Sequence, residues 1–218
     1  MSYNIAIDGP AGAGKSTIAK LIAKKKGFIY VDTGAMYRAM ALYFLEKGIS
    51  PDDETGISRA VLDADVTISY ENGEQVVWLN GRNVNGLIRT EEVSQMTSKS
   101  STNAAVRKKL VELQQALAKK ENVVMDGRDI GTCVLPNADV KIYLDAGSHV
   151  RAVRRYEELK AKGEACDLAV IEKDIIERDE RDMNREISPL KRADDAFYLD
   201  SSDMTIEQVA DAIIKMCS

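Results

Sequence analysis

Residues 9–16 read Gly-Pro-Ala-Gly-Ala-Gly-Lys-Ser, and no other stretch constrains the fold of this chain as strongly. The octapeptide satisfies the phosphate-binding spacing G-x-x-x-x-G-K-[S/T] at every fixed position. An apolar run, Tyr3 to Ile7, precedes it, and Thr17 to Lys26 follows with Ile18, Leu21 and Ile22 on one helical face. A strand, a glycine turn and a helix in that order aim several backbone N–H groups at one point. The helix N-terminus adds the positive end of its dipole. Lys15 can reach the terminal phosphates of a nucleoside triphosphate, and the Ser16 hydroxyl can hold Mg²⁺. A merely flexible Gly/Ala turn would not need this context on both sides.

The 218 residues suffice for one substantial core with room for an insertion. Thirty basic against 35 acidic residues leave a net charge of −5, which argues against a nucleic-acid binder. Cys133, Cys166 and Cys217 are far apart, without metal-ligand spacing, and fit a reducing cytoplasm. The chain enters strand pattern almost at once, so no signal peptide is expected, and no apolar run spans a membrane.

Five short runs read as buried parallel strands: Tyr3–Ile7, Phe28–Val31, Val123–Met125, Val140–Leu144 and Phe197–Leu199. Helical stretches separate them. The expected fold is therefore α/β, a doubly wound five-stranded parallel sheet with ligands at the carboxyl ends of its strands. Polar residues stand there: Asp8, Asp32-Thr33-Gly34 and Asp126-Gly127-Arg128-Asp129. One region breaks the alternation. Val66–Tyr70 and Val76–Asn80 flank Glu71-Asn72-Gly73, a hairpin signal, and helical segments follow near 90–96 and 102–120. Residues 63–98 thus read as an inserted lobe, with 1–62 and 99–218 as the core. A last helix begins at Thr205, whose spacing to Gln208 fits a capping box.

Several side chains carry possible chemistry. Val123-Val124-Met125-Asp126 is an apolar strand ending in an acid, which in phosphate-loop enzymes lies near Mg²⁺. Arg38 interrupts the apolar run Ala35–Leu42, with no carboxylate three or four positions away. Such a charge needs a distant acid, a route to solvent or a bound phosphate. Six of the thirteen arginines fall within 151–185, and Arg178, Asp182 and Arg185 share one helical face. By charge pattern alone this window is a solvated helix laced with ion pairs. The single histidine, His149, reads as a surface residue and leaves no room for a Ser-His-Asp set or a zinc site.

Taken together, five segments make the chain resemble the bacterial cytidylate kinases, which phosphorylate CMP and dCMP. They are I-D-G-P-A-G-A-G-K-S-T at 7–17, D-T-G-A-M-Y-R at 32–38, I-R-T-E-E-V at 88–93, D-G-R-D-I-G-T at 126–132 and R-D-E-R-D-M-N-R at 178–185. The similarity runs from Tyr3 to Met216. The phosphate loop is generic; the other four in this order are narrow, and the β-like insertion fits as an enlarged monophosphate-binding lobe.

What the resemblance implies is specific. Gly9, Pro10, Ala11, Gly12, Ala13, Gly14, Lys15, Ser16 and Thr17 would cradle the ATP phosphates, with Mg²⁺ on Ser16. Thr33 and Arg38 would meet the acceptor nucleotide, and Arg128 would hold its phosphate, with Asp126, Gly127 and Asp129 beside it. Ser98, Arg107 and Asp129 would read the cytosine edge, where an exocyclic amine faces an acid and a carbonyl faces an arginine. Arg178 and Asp182 would contact the ribose, and Arg185 the phosphate. Arg151, Arg154 and Arg155 would belong to a lid near 150–166. On this likeness the 178–185 segment becomes a site rather than a solvated face, reversing its charge-pattern reading. The expected partners are ATP and CMP or dCMP, without nucleic acid or membrane, in a cytoplasmic monomer. A kinase of AMP, UMP, shikimate or a coenzyme precursor stays open as an alternative. So does a nucleotide-switch protein, although no N-K-x-D motif occurs.

Overall fold

A computed structural model describes residues 2–217. In chain order the elements are β1 (Asn4–Asp8), α1 (Lys15–Lys26), β2 (Ile29–Asp32), α2 (Thr33–Glu46), α3 (Glu54–Ala60), β3 (Val66–Glu71), β4 (Glu74–Leu79) and β5 (Arg82–Asn83). Then come α4 (Glu91–Ser100), α5 (Ala104–Ala118), β6 (Val123–Gly127), a π-helical turn (Ile130–Val134), β7 (Val140–Asp145), α6 (Ser148–Ala161), α7 (Leu168–Asn184), β8 (Phe197–Asp200) and α8 (Ile206–Met216). The central sheet has five strands in the order β2-β6-β1-β7-β8, and a second sheet has the order β3-β4-β5. The expected α/β architecture is therefore observed.

The chain divides into two compact units. One holds residues 29–122 with Ser2, the other residues 3–28 and 123–217. Residues 63–98 fall wholly inside the first.

In the second unit β1 runs parallel to β6 on one side and β7 on the other, with Ile7 opposite Asp126 and Ile142. Ile5, Ala6 and Ile7 are fully buried, as a central parallel strand requires. Asp8 ends the strand where the chain turns into the phosphate loop. Helix α1 buries Ile18, Ala19, Ile22 and Ala23, and three lysines at its C-terminus suit the dipole there. Helix α8 opens with the capping box expected at Thr205 and Gln208. Strand β8 departs from expectation: Phe197 and Tyr198 are about half exposed. Its sequence reads as a buried strand, but it pairs only with β7 and forms the edge of the sheet.

In the first unit the hairpin turns at Asn72 and Gly73, with φ of 52° and 81°. Two successive left-handed residues suit the twist of antiparallel strands, and Glu71 pairs with Glu74 across the turn. Helix α2 is capped by Asp32, whose carboxylate accepts the Ala35 N–H at 2.9 Å. Helices α4 and α5 both pack on α2. No helix among the described residues is long and apolar enough to cross a membrane.

Candidate active site

The phosphate loop leaves β1 through Gly9, which a side chain could not replace: a Cβ there would run into the Leu144 carbonyl oxygen. Gly14, with φ of 85°, precedes Lys15 at the start of α1 in a left-handed conformation that glycine reaches without strain. The Lys15 side chain folds over the loop, its ammonium donating to the Pro10 carbonyl at 2.6 Å. Its pKa is held well below the usual lysine value. Burial is the main cause and the Arg128 and Arg178 charges add to it, while Asp126 and Asp8 act in the opposite direction. Cations crowd this point, and an incoming polyphosphate would relieve that repulsion.

Carboxylates order the surroundings. Ser16 donates its hydroxyl to Asp126 Oδ2 at 2.8 Å, which brings the loop and the acid at the end of β6 together. Asp126 therefore stands on the phosphate-loop side, as an acid near a metal would. Asp8 accepts two backbone N–H groups, from Ile130 and Gly131, both at 2.7 Å. These bonds pin the π-helical turn that follows Asp129. Burial pushes the Asp8 carboxyl up to about 6, more than the two bonds pull it down.

Just past β6, Arg128 donates through Nε to Asp182 Oδ2 at 2.8 Å, and Arg185 Nη2 lies 3.9 Å from Asp129 Oδ1. Burial alone would raise the Asp182 carboxyl. Arg128, aided by Arg178 and Arg185, overrides it and holds the group below the usual value. Lys15, Arg128, Arg178 and Arg185 thus gather with Asp8, Asp126, Asp129 and Asp182 around the carboxyl ends of β1 and β6. Arg185 is not on the helical face its spacing suggests. Helix α7 ends at Asn184, Arg185 is extended (φ −66°, ψ 141°), and its Nε donates to the Ser188 carbonyl.

The arginines of α6 separate into distinct environments. Arg154 donates to the carbonyl of Ser201 at 2.7 Å, and Arg155 is exposed and paired with Glu158. Arg151 is buried, tied to Ala146, Ala11 and Asp179. The family resemblance groups it with Arg154 and Arg155 in a lid, but here it is buried and bonded to the Ala11 carbonyl of the phosphate loop. His149 is exposed, as expected, and meets Glu172 at 2.9 Å.

The first unit holds the remaining candidates. Thr33 is buried at the start of α2 and Arg38 is half-buried just over one turn later. A Cβ on Gly34 would lie 3.1 Å from Arg38 Nη1 and 3.2 Å from Asp32 Oδ1, so both charges flank that glycine closely. Arg89 also reaches Asp32, at 3.2 Å, and Gln75 bonds the Asp32 backbone N–H and carbonyl. Ser98 is half-buried on α4 and Arg107 buried on α5.

Three of these participants carried no role in the sequence reading. Asp8 was visible only as one more strand-end acid. Asp179 lay hidden in an acid-rich helix, and Gln75 looked like a hairpin polar residue. Only the long-range partners reveal them.

The cytidylate kinase family model matches residues 5–218. The chain belongs to the cytidylate kinase family. Relatives named cytidylate kinase include that of Carboxydothermus hydrogenoformans, 49% identical over 212 residues, covering 97% of this chain and 96% of that protein. The Bacillus licheniformis enzyme is 49% identical over 214 residues, covering 97% and 94%. The Lactobacillus johnsonii enzyme is 48% identical, covering 97% and 92%. Segments 126–132 and 178–185 carry the paired Arg128–Asp182 and Arg185–Asp129, and 32–38 and 88–93 carry Asp32, Arg38 and Arg89.

Proposed function

We propose that this chain transfers the terminal phosphoryl group of ATP to CMP and dCMP, giving ADP with CDP or dCDP. An oxygen of the CMP phosphate attacks the γ-phosphorus in line, and the bond from that phosphorus to the β,γ-bridging oxygen breaks. The attacking oxygen is already anionic near neutral pH, so no general base is needed. The observation that carries the reading is the Lys15, Arg128, Arg178 and Arg185 cluster beside the Ser16–Asp126 contact, in a chain of this family.

Each residue has a role in this reading. The loop from Gly9 to Thr17 binds the ATP phosphates through its N–H groups, and Lys15 stabilises the charge that builds during transfer. Ser16 and Asp126 supply hard oxygen atoms that would hold Mg²⁺, and the ion would supply neutralising charge at the phosphates. Arg38, Arg128 and Arg185 hold the CMP phosphate. Ser98, Arg107 and Asp129 read the cytosine, Thr33, Asp126 and Gly127 line the acceptor, and Arg178 and Asp182 meet the ribose. Arg154 and Arg155 act from a lid near 150–166. Residues 63–98 serve as the monophosphate-binding lobe, and 1–62 with 99–218 as the kinase core. The three free thiols fit a cytoplasmic setting, and the working unit is taken as a monomer.

A coupled assay offering CMP, dCMP, UMP and AMP tests the acceptor. CMP and dCMP should be turned over fastest. Faster use of AMP or UMP would transfer the chain to another monophosphate, and GTP hydrolysis independent of acceptor would make it a switch protein. Arg38→Met should lower turnover by about 100-fold or more, on the scale of losing one transition-state donor, with cooperative unfolding retained. Near-normal turnover would remove Arg38 from its role.

A further inference from the structure

The phosphoryl-transfer reading leaves one buried ion pair unused. Arg151 and Asp179 are 4% and 6% exposed, and Arg151 Nη2 lies 2.5 Å from Asp179 Oδ2. The other donors of Arg151 are directed at backbone. Nε reaches the Ala146 carbonyl and Nη1 the Ala11 carbonyl, both at 2.8 Å. Ala11 belongs to the phosphate loop, and a Cβ on Gly12 would sit 3.4 Å from Arg151 Cβ. The loop therefore rests on this arginine.

Asp179 is satisfied on one side only. Its Oδ1 is buried with no hydrogen-bond partner among the described residues. A buried pair of this kind is a poor way to gain stability, since desolvation offsets much of the attraction and the orphan oxygen adds a cost. Its placement points to a different use. Asp179 sits on α7 between Arg178 and, nearly one turn on, Asp182, which holds Arg128 at 2.8 Å. Just beyond the helix, Arg185 faces Asp129. One side chain thus ties the backbone of the triphosphate loop to the helix that carries the acceptor-side charges.

We propose that Arg151 and Asp179 are positioning residues that link the two substrates: when phosphate binding resets the loop at Ala11, the pair shifts α7 and its acceptor-side charges. Binding of one nucleotide then tightens the other by an equal factor, because linkage is reciprocal. The proposal rests on the reading of Arg128, Asp182 and Arg185 as CMP ligands. The coupling free energy between the two sites is the quantity that decides.

CMP is titrated calorimetrically with and without saturating Mg·ADP, and the ratio of the two dissociation constants is the coupling factor. The wild-type protein should bind CMP at least five-fold more tightly with Mg·ADP present. In Arg151→Met/Asp179→Leu, an apolar pair of similar volume, the factor should fall to below two while the melting temperature stays near that of wild type. A wild-type factor near one, or an unchanged factor in the double variant, overturns the proposal. If the double variant does not fold, Arg151→Lys takes its place, because a single ammonium cannot reproduce the planar fork that serves all three partners, and the same fall is required. Arg185→Met separates the two levels. CMP affinity unchanged there removes Arg185 from the acceptor site on which the proposal rests; weakened CMP affinity with coupling intact in the double variant removes only the link.

Discussion

Helices α6 and α7 carry two populations of ion pairs that look alike in sequence and differ in depth. On the outer faces, Arg155 and Lys162 both meet Glu158, and Lys173 meets Glu177, all three or four residues apart and roughly half exposed or more. On the inner side, Arg151 meets Asp179 across 28 residues and Arg128 meets Asp182 across 54, with far less exposure. Local pairs form because the helix places their members side by side, whatever the rest of the fold does. Distant pairs form only if the fold converges, and burial makes them costly unless each charge is matched. Every inner pair touches the phosphate loop or a segment that marks the family. On these two helices depth, more than charge density, sets the two groups apart; distance along the chain is not enough by itself, since His149 meets Glu172 at the surface from 23 residues away.

The sharpest contrast is expected between two lysines. Lys15→Met should reduce kcat by about 100- to 1,000-fold, the scale of losing one preorganised donor to a developing negative charge. The fold should hold, because the ammonium is buried and its charge is disfavoured there. Lys162→Met, on the outer face, should leave kcat within two-fold. Steady-state rates at saturating ATP and CMP read both, and a comparable loss in the two variants would erase the distinction.

Next in size is a stability effect at Asp8. Its folded-state pKa of about 6 lies above the 3.8 of the free group. Between those values the native state binds the proton more tightly than the unfolded chain, so stability falls as pH rises through the window from about 4 to about 6. A shift of about two units corresponds to roughly 3 kcal/mol. Asp8→Asn should lose this slope. Acids held below their usual value, such as Asp182, act in the opposite sense but below pH 4, which leaves the window clear. Urea unfolding at several pH values from 4 to 7 gives the difference between wild type and variant. Parallel curves would show that the inner acid behaves like an outer one.

Most of the scaffold was legible because its signals are local. Glycine spacing, strand runs, the Asn72-Gly73 turn and the Thr205 cap each depend on neighbours within a few residues, and each element formed where expected. Strand β8 was legible as a strand but not as an edge, since Phe197-Tyr198-Leu199 says nothing about how many neighbours it will have. At the site, the phosphate loop was explicit, whereas the 178–185 charges read as a solvated face until the family likeness reversed them. The role of Asp179 depends on an arginine 28 residues away and that of Asp8 on two N–H groups more than 120 residues away. Spacing cannot report such partners.

The smallest expected effect guards the other end of the scale. Glu158 accepts from both Lys162 and Arg155, and those bonds hold its carboxyl below the usual value despite slight burial. The contribution to stability exists above the unfolded pKa near 4.5 and disappears as pH falls through the lower folded value. All three side chains are about half exposed, so water and salt screen the interaction. Glu158→Gln should therefore cost no more than about 0.5 kcal/mol at low salt and less still at 0.5 M NaCl. Denaturant unfolding at the two salt concentrations measures both quantities. A salt-independent loss above about 1.5 kcal/mol would mean that this outer pair is as deeply committed as the inner ones, and depth would then fail as the criterion that separates them.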